Sequence, residues 1–353
     1  NWTSFAAYAG KMDEAAFYDK ILAPTQIAER YALVRGVNSE INRGNLTTGV
    51  GIDLNNADNI TINNLAVTGG FYGIRANDSA DSDNLVLTNN DIYANAGYGV
   101  YVGSTNDALS VTQNKIHGNS GGFGARGITL NSVIGATISD NDLYGNTRSN
   151  VEITSNSANN LVSLNRIYGG VFGILAAAPG NGITPNTISN NDVHDTSGTG
   201  IDISGLFIVK SNTVHDNRNS PGTGINATAG GEFRDNVVYN NVNGILNGTL
   251  VTGNRVFNNS ANGIFVTGDN VVENNHVYGN GTGIYGTHAT NTGVGPYFRG
   301  NLVYQNATTG IRLDGGRIAE IINNTVYQLT GNGIALNSNG GTFNDTIKNN
   351  IIV

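Results

Sequence analysis

The chain has no cysteine, one methionine, one tryptophan and five prolines among 353 residues. Without cysteine there is neither a disulfide framework nor a thiolate metal site. Charge is sparse as well, at 12% of residues, and the net value is -8. Eighteen scattered Lys and Arg make no basic track, which argues against nucleic acid and anionic membrane as partners. No apolar run approaches the roughly 20 residues that span a bilayer. No Gly-rich phosphate loop and no nucleophilic Ser motif occur. No secretory leader is visible, and because the chain opens on Asn1 rather than Met, a processed or cut N-terminus is expected.

What the chain does have is glycine, at 49 residues, and asparagine, at roughly one residue in six, both above average usage. They recur in register. The stretch Asn236–Ile245 reads N-V-V-Y-N-N-V-N-G-I, and copies open at Asn64, Asn90, Asn114, Asn141, Asn165, Asn191, Asn212, Asn236, Asn254, Asn275, Asn301, Asn324 and Asn350. Gly-Ile or Gly-Val pairs close them, from Gly73-Ile74 to Gly333-Ile334, with Asn150-Val151 as the exception. The period averages about 23 residues, which marks a stack of repeated units. Short alternating runs such as Val100–Val102, Ile201–Ile203 and Ile264–Val266 have strand periodicity. One such unit cannot bury its own apolar face, whereas a stack of them can. From each Asn to its closing pair the distance is nearly constant, and the return is variable. Insertions therefore collect on one arc, at Asn77–Asn84, 176–187 and 286–299. The constant arc expands only near Ser120–Ala125 and Asn219–Thr223.

These copies resemble the right-handed parallel β-helix repeat of pectin-lyase-like and copper-periplasmic-type proteins, over residues 35–353. The resemblance implies an all-β solenoid of about 13 coils with three short strands per turn. Equivalent residues would lie about 4.8 Å apart in neighbouring coils. The repeated Asn would form an internal amide ladder, as stacked amides do in cross-β structures.

Residues 1–34 differ from the rest. The run D-E-A-A-F-Y-D-K-I-L from Asp13 to Leu22, then a helical segment after Pro24, resembles the closing strand and helix of a laminin-G-like (concanavalin-type) jelly roll. The resemblance implies a longer, modular polypeptide. A plain N-terminal cap for the first coil is the alternative. The last copy, N-N-I-I-V, stops at Val353 with no polar cap, so another chain or a further domain is expected there.

Candidate chemistry lies in one column, the third residue after each repeated Asn. It holds Tyr93, His117, Tyr144, Tyr168, His194, His215, Tyr239, Phe257, Tyr278, Tyr304 and Tyr327. Alternation turns this column outward, either as a glycan-binding track or as an aromatic ladder that stabilises neighbouring strands. Within it, His194-Asp195 and His215-Asp216 recur in consecutive coils and form an acid–base candidate, with Asp202 and Arg218 expected nearby. Asp78, Asp81 and Asp83 form an acidic insertion with the oxygen donors Ca²⁺ takes, against a plain solvated loop. No other cofactor is expected. The sequons at Asn45, Asn226 and Asn280 are what chance gives in so Asn- and Thr-rich a chain. Against the families it resembles, the chain lacks the adjacent Asp pair and G-H-G of galacturonan hydrolases, the Asp-Pro-His of mannuronan epimerases and the acidic cluster with Arg or Lys of pectate lyases.

Two functions follow as expectations. The main one is a secreted or cell-surface structural or adhesive solenoid, partnered by copies of itself or by adjacent domains and stacking end to end into filaments. Its uniform coils and missing catalytic motifs favour that reading. The alternative is a carbohydrate-active β-helix protein: a polysaccharide lyase, epimerase or hydrolase, or a non-catalytic glycan binder.

Overall fold

The computed structural model describes residues 39–122, 124–178, 184–287, 295–315, 318–337 and 344–353. The expected strand–helix segment at residues 1–34 lies outside the described residues. Within them the chain is a parallel β-solenoid of about 12 turns, against the 13 expected, with no helix. Each strand pairs in parallel with its counterparts one coil before and one coil after. The first strand row follows the repeated Asn, as in Asp91–Tyr93, Lys115–His117 and Asp142–Tyr144. The second row carries the Gly-Ile pair, as in Tyr98–Val102, Arg126–Asn131 and Ser149–Thr154. The third completes the turn, as in Ser110–Thr112, Thr137–Ser139 and Leu161–Ser163.

Strands this short need sharp, repeated corners. The residue before each ladder position takes a positive φ, as at Asn89 (55°), Gln113 (58°), Asp140 (58°) and Leu164 (58°). A second such bend follows the first row, at Ala94, Gly118, Gly145, Asp195 and Asp216. Asn, Asp and Gly tolerate this conformation best, which explains the Asn-Asn pairs in the sequence. Interior columns such as Ile92–Ile116–Leu143–Ile167 are fully buried.

The ladder runs from Asn90 to Asn350. Asn114 is typical: its Nδ2 donates to Leu87 O at 2.8 Å and to Asn141 Oδ1 at 3.1 Å, and its Oδ1 accepts the Asn90 amide at 2.9 Å. Asn64 stands outside it. It is exposed and occupies the positive-φ bend, so Leu65 holds the ladder register and donates its N–H to Asn90 Oδ1. A second ladder, which the sequence reading did not single out, lies five residues on at Asn95, Asn119, Asn146, Asn217, Asn241, Asn259, Asn280 and Asn306. Each ladder lines one of the two corners that flank the first row. Opposite the second ladder, the second row needs glycine: a Cβ on Gly99 would stand 2.7 Å from Gly127 O and 2.9 Å from Asn119 Nδ2.

Candidate functional site

The first-row aromatic column is a continuous stack. From Tyr93 to Tyr304 consecutive rings lie 4.6–5.5 Å apart, with planes within 13° of parallel. Tyr327 follows Tyr304 in register. The faces of His117, Tyr144, Tyr168, Tyr239 and Tyr278 are therefore covered by neighbouring rings, and only edges reach solvent. Sugar stacking needs a free face, so the geometry suits a ladder that ties coils together. Beside it runs a column of alternating charge, Asp91–Lys115–Asp142–Arg166–Asp192, in which Asp91 and Asp192 bind the stacked His117 and His215.

His194 and His215 are two rungs of that stack, 5.0 Å apart. His215 uses both nitrogens, with Nδ1 2.7 Å from Asp216 Oδ2 and Nε2 3.1 Å from Asp192 Oδ1. His194 Nδ1 lies 2.8 Å from Asp195 Oδ2. Asp195 and Asp216 are themselves bend residues with φ of 53° and 58°. Burial works against ionisation of Asp216, but the His215 hydrogen bond and the neighbouring Arg218 together outweigh it and hold its carboxyl below the usual range. Arg218 does reach this group, through its ion pair with Asp216. Asp202 does not. It lies in the second row, between Leu175 and Asn226.

The acidic insertion is also engaged internally. Asp78 accepts from Tyr101 Oη at 2.8 Å, Asn131 Nδ2 at 3.0 Å and Ser104 N at 3.1 Å. Asp83 accepts the Asp107 amide, and the Asp81 amide donates to Asn56. Among the described residues no three His, Asp or Glu converge as metal ligands. Of the sequons, Asn280 is buried in the second ladder, Asn226 donates to Asp202 at 2.8 Å, and Asn45 accepts the amides of Thr47 and Thr48.

The densest chemistry lies elsewhere, on the outward face of the second row in its early coils. Tyr72 and Tyr98 stack at 5.0 Å, and Tyr101 meets both edge-on, at 5.6 and 5.1 Å. Phe71 packs edge-on against Tyr72 at 4.9 Å. Arg75 lies 5.1 Å over Tyr72 and Arg126 lies 5.2 Å over Tyr98. Burial and the Asp78 hydrogen bond push the Tyr101 phenol well up, so it is a neutral donor. In the column Tyr101–Thr129–Glu152, Glu152 is 8% exposed and pairs with Arg126 at 2.5 Å. Thr129 Oγ1 is buried with no protein partner. Two of the insertions border this face at opposite ends of its strands, through residues 77–84 and through the described residues 124 and 125. Further along, Asp202 has its carboxyl raised by burial, partly offset by the Asn226 hydrogen bond.

Sequence reading passed over this cluster because it followed the uniform column. The signal lay one residue beyond each closing pair: Arg75, Tyr101, Thr129, Glu152, Leu175, Asp202 and Asn226. That column is the one whose chemistry changes from coil to coil.

Two family models match the chain. Residues 246–353 match the right-handed β-helix region, and residues 31–201 match the periplasmic copper-binding protein NosD. The solenoid is a right-handed parallel β-helix. Neither match spans half of the chain. Copper(I) takes soft sulfur ligands; with no Cys and a single Met the chain does not fit a sulfur-ligated copper(I) centre, and among the described residues no three His, Asp or Glu converge. No curated protein matches the sequence. Among solved structures, the A-module of the Azotobacter vinelandii mannuronan C-5 epimerase AlgE4 is 12% identical, with 93% of this chain and 90% of that chain covered and a TM-score of 0.49. The Dettilon tailspike protein is 16% identical, with 88% and 64% covered and a TM-score of 0.48. The alginate lyase of Paenibacillus sp. str. FPU-7 is 15% identical, with 85% and 99% covered and a TM-score of 0.41. At these identities no residue role transfers from them to this chain. Among the described residues no helix is long and apolar enough to cross a membrane.

Proposed function

We propose that the protein is a carbohydrate-active β-helix protein that holds a polysaccharide along the outward face of its second strand row, outside the cytoplasm. The observation that carries this reading is the Tyr72–Tyr98–Tyr101–Arg126–Glu152 cluster, bordered by residues 77–84, 124 and 125. Phenol hydroxyls and fixed polar groups beside ring edges suit the hydroxyls of a sugar chain. A periplasmic family model over residues 31–201 supports the extracytoplasmic placement. Nothing in these findings favours the main expectation, a structural or adhesive solenoid, over this alternative.

A polysaccharide array tests the proposal, read for retention and, in the same wells, for chain cleavage or epimerisation. The wild type should be retained by at least one polymer. Tyr98→Ala should weaken that retention by about tenfold, the scale of one lost aromatic contact. His194→Phe with His215→Phe should leave it unchanged. Retention that survives Tyr98→Ala but falls in the histidine variant would move the site to the first row.

A further inference from the structure

Resting on the glycan reading above, we propose that the second-row face takes an uncharged glycan, and that its arginines brace the site instead of binding ligand carboxylates. A polyuronate needs cations with unsatisfied charge. Two of the three on this face, Arg75 and Arg126, are already hydrogen-bonded to carboxylates. Arg75 forms a forked pair with Asp53, at 2.9 and 2.6 Å. Arg126 gives Nε to Glu152 at 2.5 Å and Nη1 to Gly124 O at 3.0 Å. Arg148 is the third guanidinium; its Nε lies 3.8 Å from the other oxygen of Glu152, an ion pair without a hydrogen bond. Farther along the row, Arg312 is paired with Asp314 at 2.6 Å.

Freeing Arg126 for a ligand carboxylate would strand the buried Glu152, and removing one partner from a buried ion pair is costly. The two ring-facing guanidinium groups have another role, since each lies over a tyrosine of the cluster. Three guanidinium groups and three carboxylates, those of Asp53, Asp78 and Glu152, balance in number here on a chain of net charge -8, with Asp78 held by Tyr101, Asn131 and Ser104 instead of by an arginine. With charges of both signs equal in number, the face has no surplus of cations to draw in a polyanion.

What the face does offer is neutral. Tyr72, Tyr98 and Tyr101 present ring edges and phenols. Thr129 presents a hydroxyl that is 5% exposed at the residue level and has no protein partner. A buried hydroxyl without a partner is satisfied by water or by a ligand hydroxyl. It stands in register between Tyr101 and Glu152.

Two polymers with one backbone separate charge from shape: fully methyl-esterified homogalacturonan and the same material de-esterified, run beside an uncharged mannan and an uncharged glucan. The expected result is retention of one or more uncharged polymers at least about tenfold tighter than of the de-esterified chain. That retention should change less than about twofold between low and high salt, because exposed charge–charge attraction is what salt screens. Glu152→Gln removes the carboxylate that holds Arg126 and should bring in binding of the de-esterified chain. Where that variant does not fold, Asp53→Asn releases Arg75 from a more exposed pair and serves the same purpose. Tighter, salt-sensitive binding of the de-esterified polymer by the wild type overturns the uncharged-glycan inference and leaves the glycan reading standing. No retention of any of the four polymers removes both.

Discussion

An interior asparagine of this solenoid uses its whole amide. Asn141 donates to Val111 O, Ser139 O and Asn165 Oδ1, while its oxygen accepts the backbone and side-chain N–H groups of Asn114. Asn141→Leu leaves the donors of Asn114 without an acceptor in a buried place. The expected cost is on the order of 3 kcal/mol, read by chemical denaturation. Asn64→Ala, at an exposed bend outside the ladder, should cost less than about 1 kcal/mol. Equal losses at the two sites would contradict the ladder assignment. Asp202 gives a prediction of opposite character. Its carboxyl titrates above the ordinary value of about 3.9, so the folded state holds the proton more tightly than the unfolded chain. Stability therefore falls as pH rises from that ordinary value through the raised folded one. Asp202→Asn keeps an oxygen for the Asn226 donor and removes the charge. It should stabilise the protein at pH 7, with the gain disappearing below about pH 4. A gain that is the same at both pH values would show that charge is not the cause.

At the scale of a strand and its corners, the repeat is kept by substitution as well as by identity. The second ladder breaks at Gly170, where Asn is expected five residues after Asn165. Asn150, which stands where other coils have the Gly of the closing pair, fills the gap. Its Oδ1 accepts Asn146 Nδ2 at 2.8 Å, and its Nδ2 donates to Gly169 O at 2.9 Å. In the next coil Thr196 continues the line through Asn217 at 2.6 Å. Asn150→Gly restores the common repeat yet should destabilise by about 1–3 kcal/mol, because the buried Asn146 amide loses an acceptor and the part-buried Gly169 carbonyl loses a donor. A neutral or stabilising result in a melt would mean that water fills the gap at no cost. This also shows what was legible. The first ladder could be read because its Asn sits at a constant offset from an apolar residue and an aromatic. The second could not, because Gly170, Thr196 and Leu329 interrupt its Asn residues, and only hydrogen bonding shows that Asn150 and Gln328 take over at two of these positions.

For the whole molecule, stability in a stack is nearly one-dimensional, since each coil touches only its neighbours. Residues such as Ile128, Ile174 and Val238 are fully buried, whereas Leu336 and Ile347 are 44% and 46% exposed. Hydrogen exchange on this chain should therefore proceed inward from residues 332–353, with the coils between Ile128 and Val238 exchanging last. A single protection level throughout would mean that the solenoid opens as one cooperative unit.

The sequence by itself determined the solenoid, its period, the buried aliphatic columns, one amide ladder and the outward turn of the aromatic column. All of these follow from alternation and spacing within a coil, which are local quantities. Tertiary structure alone decided which groups act together. It closed the faces of the aromatic column against one another and turned the His-Asp pairs into bend and ladder contacts. It also gathered Tyr72, Tyr98, Tyr101, Arg126 and Glu152 on one face. Those residues come from four coils, and variable corners between the coils hide their alignment. Only the hydrogen-bonded register, which stacks residues about two dozen positions apart at strand-to-strand distance, makes them neighbours.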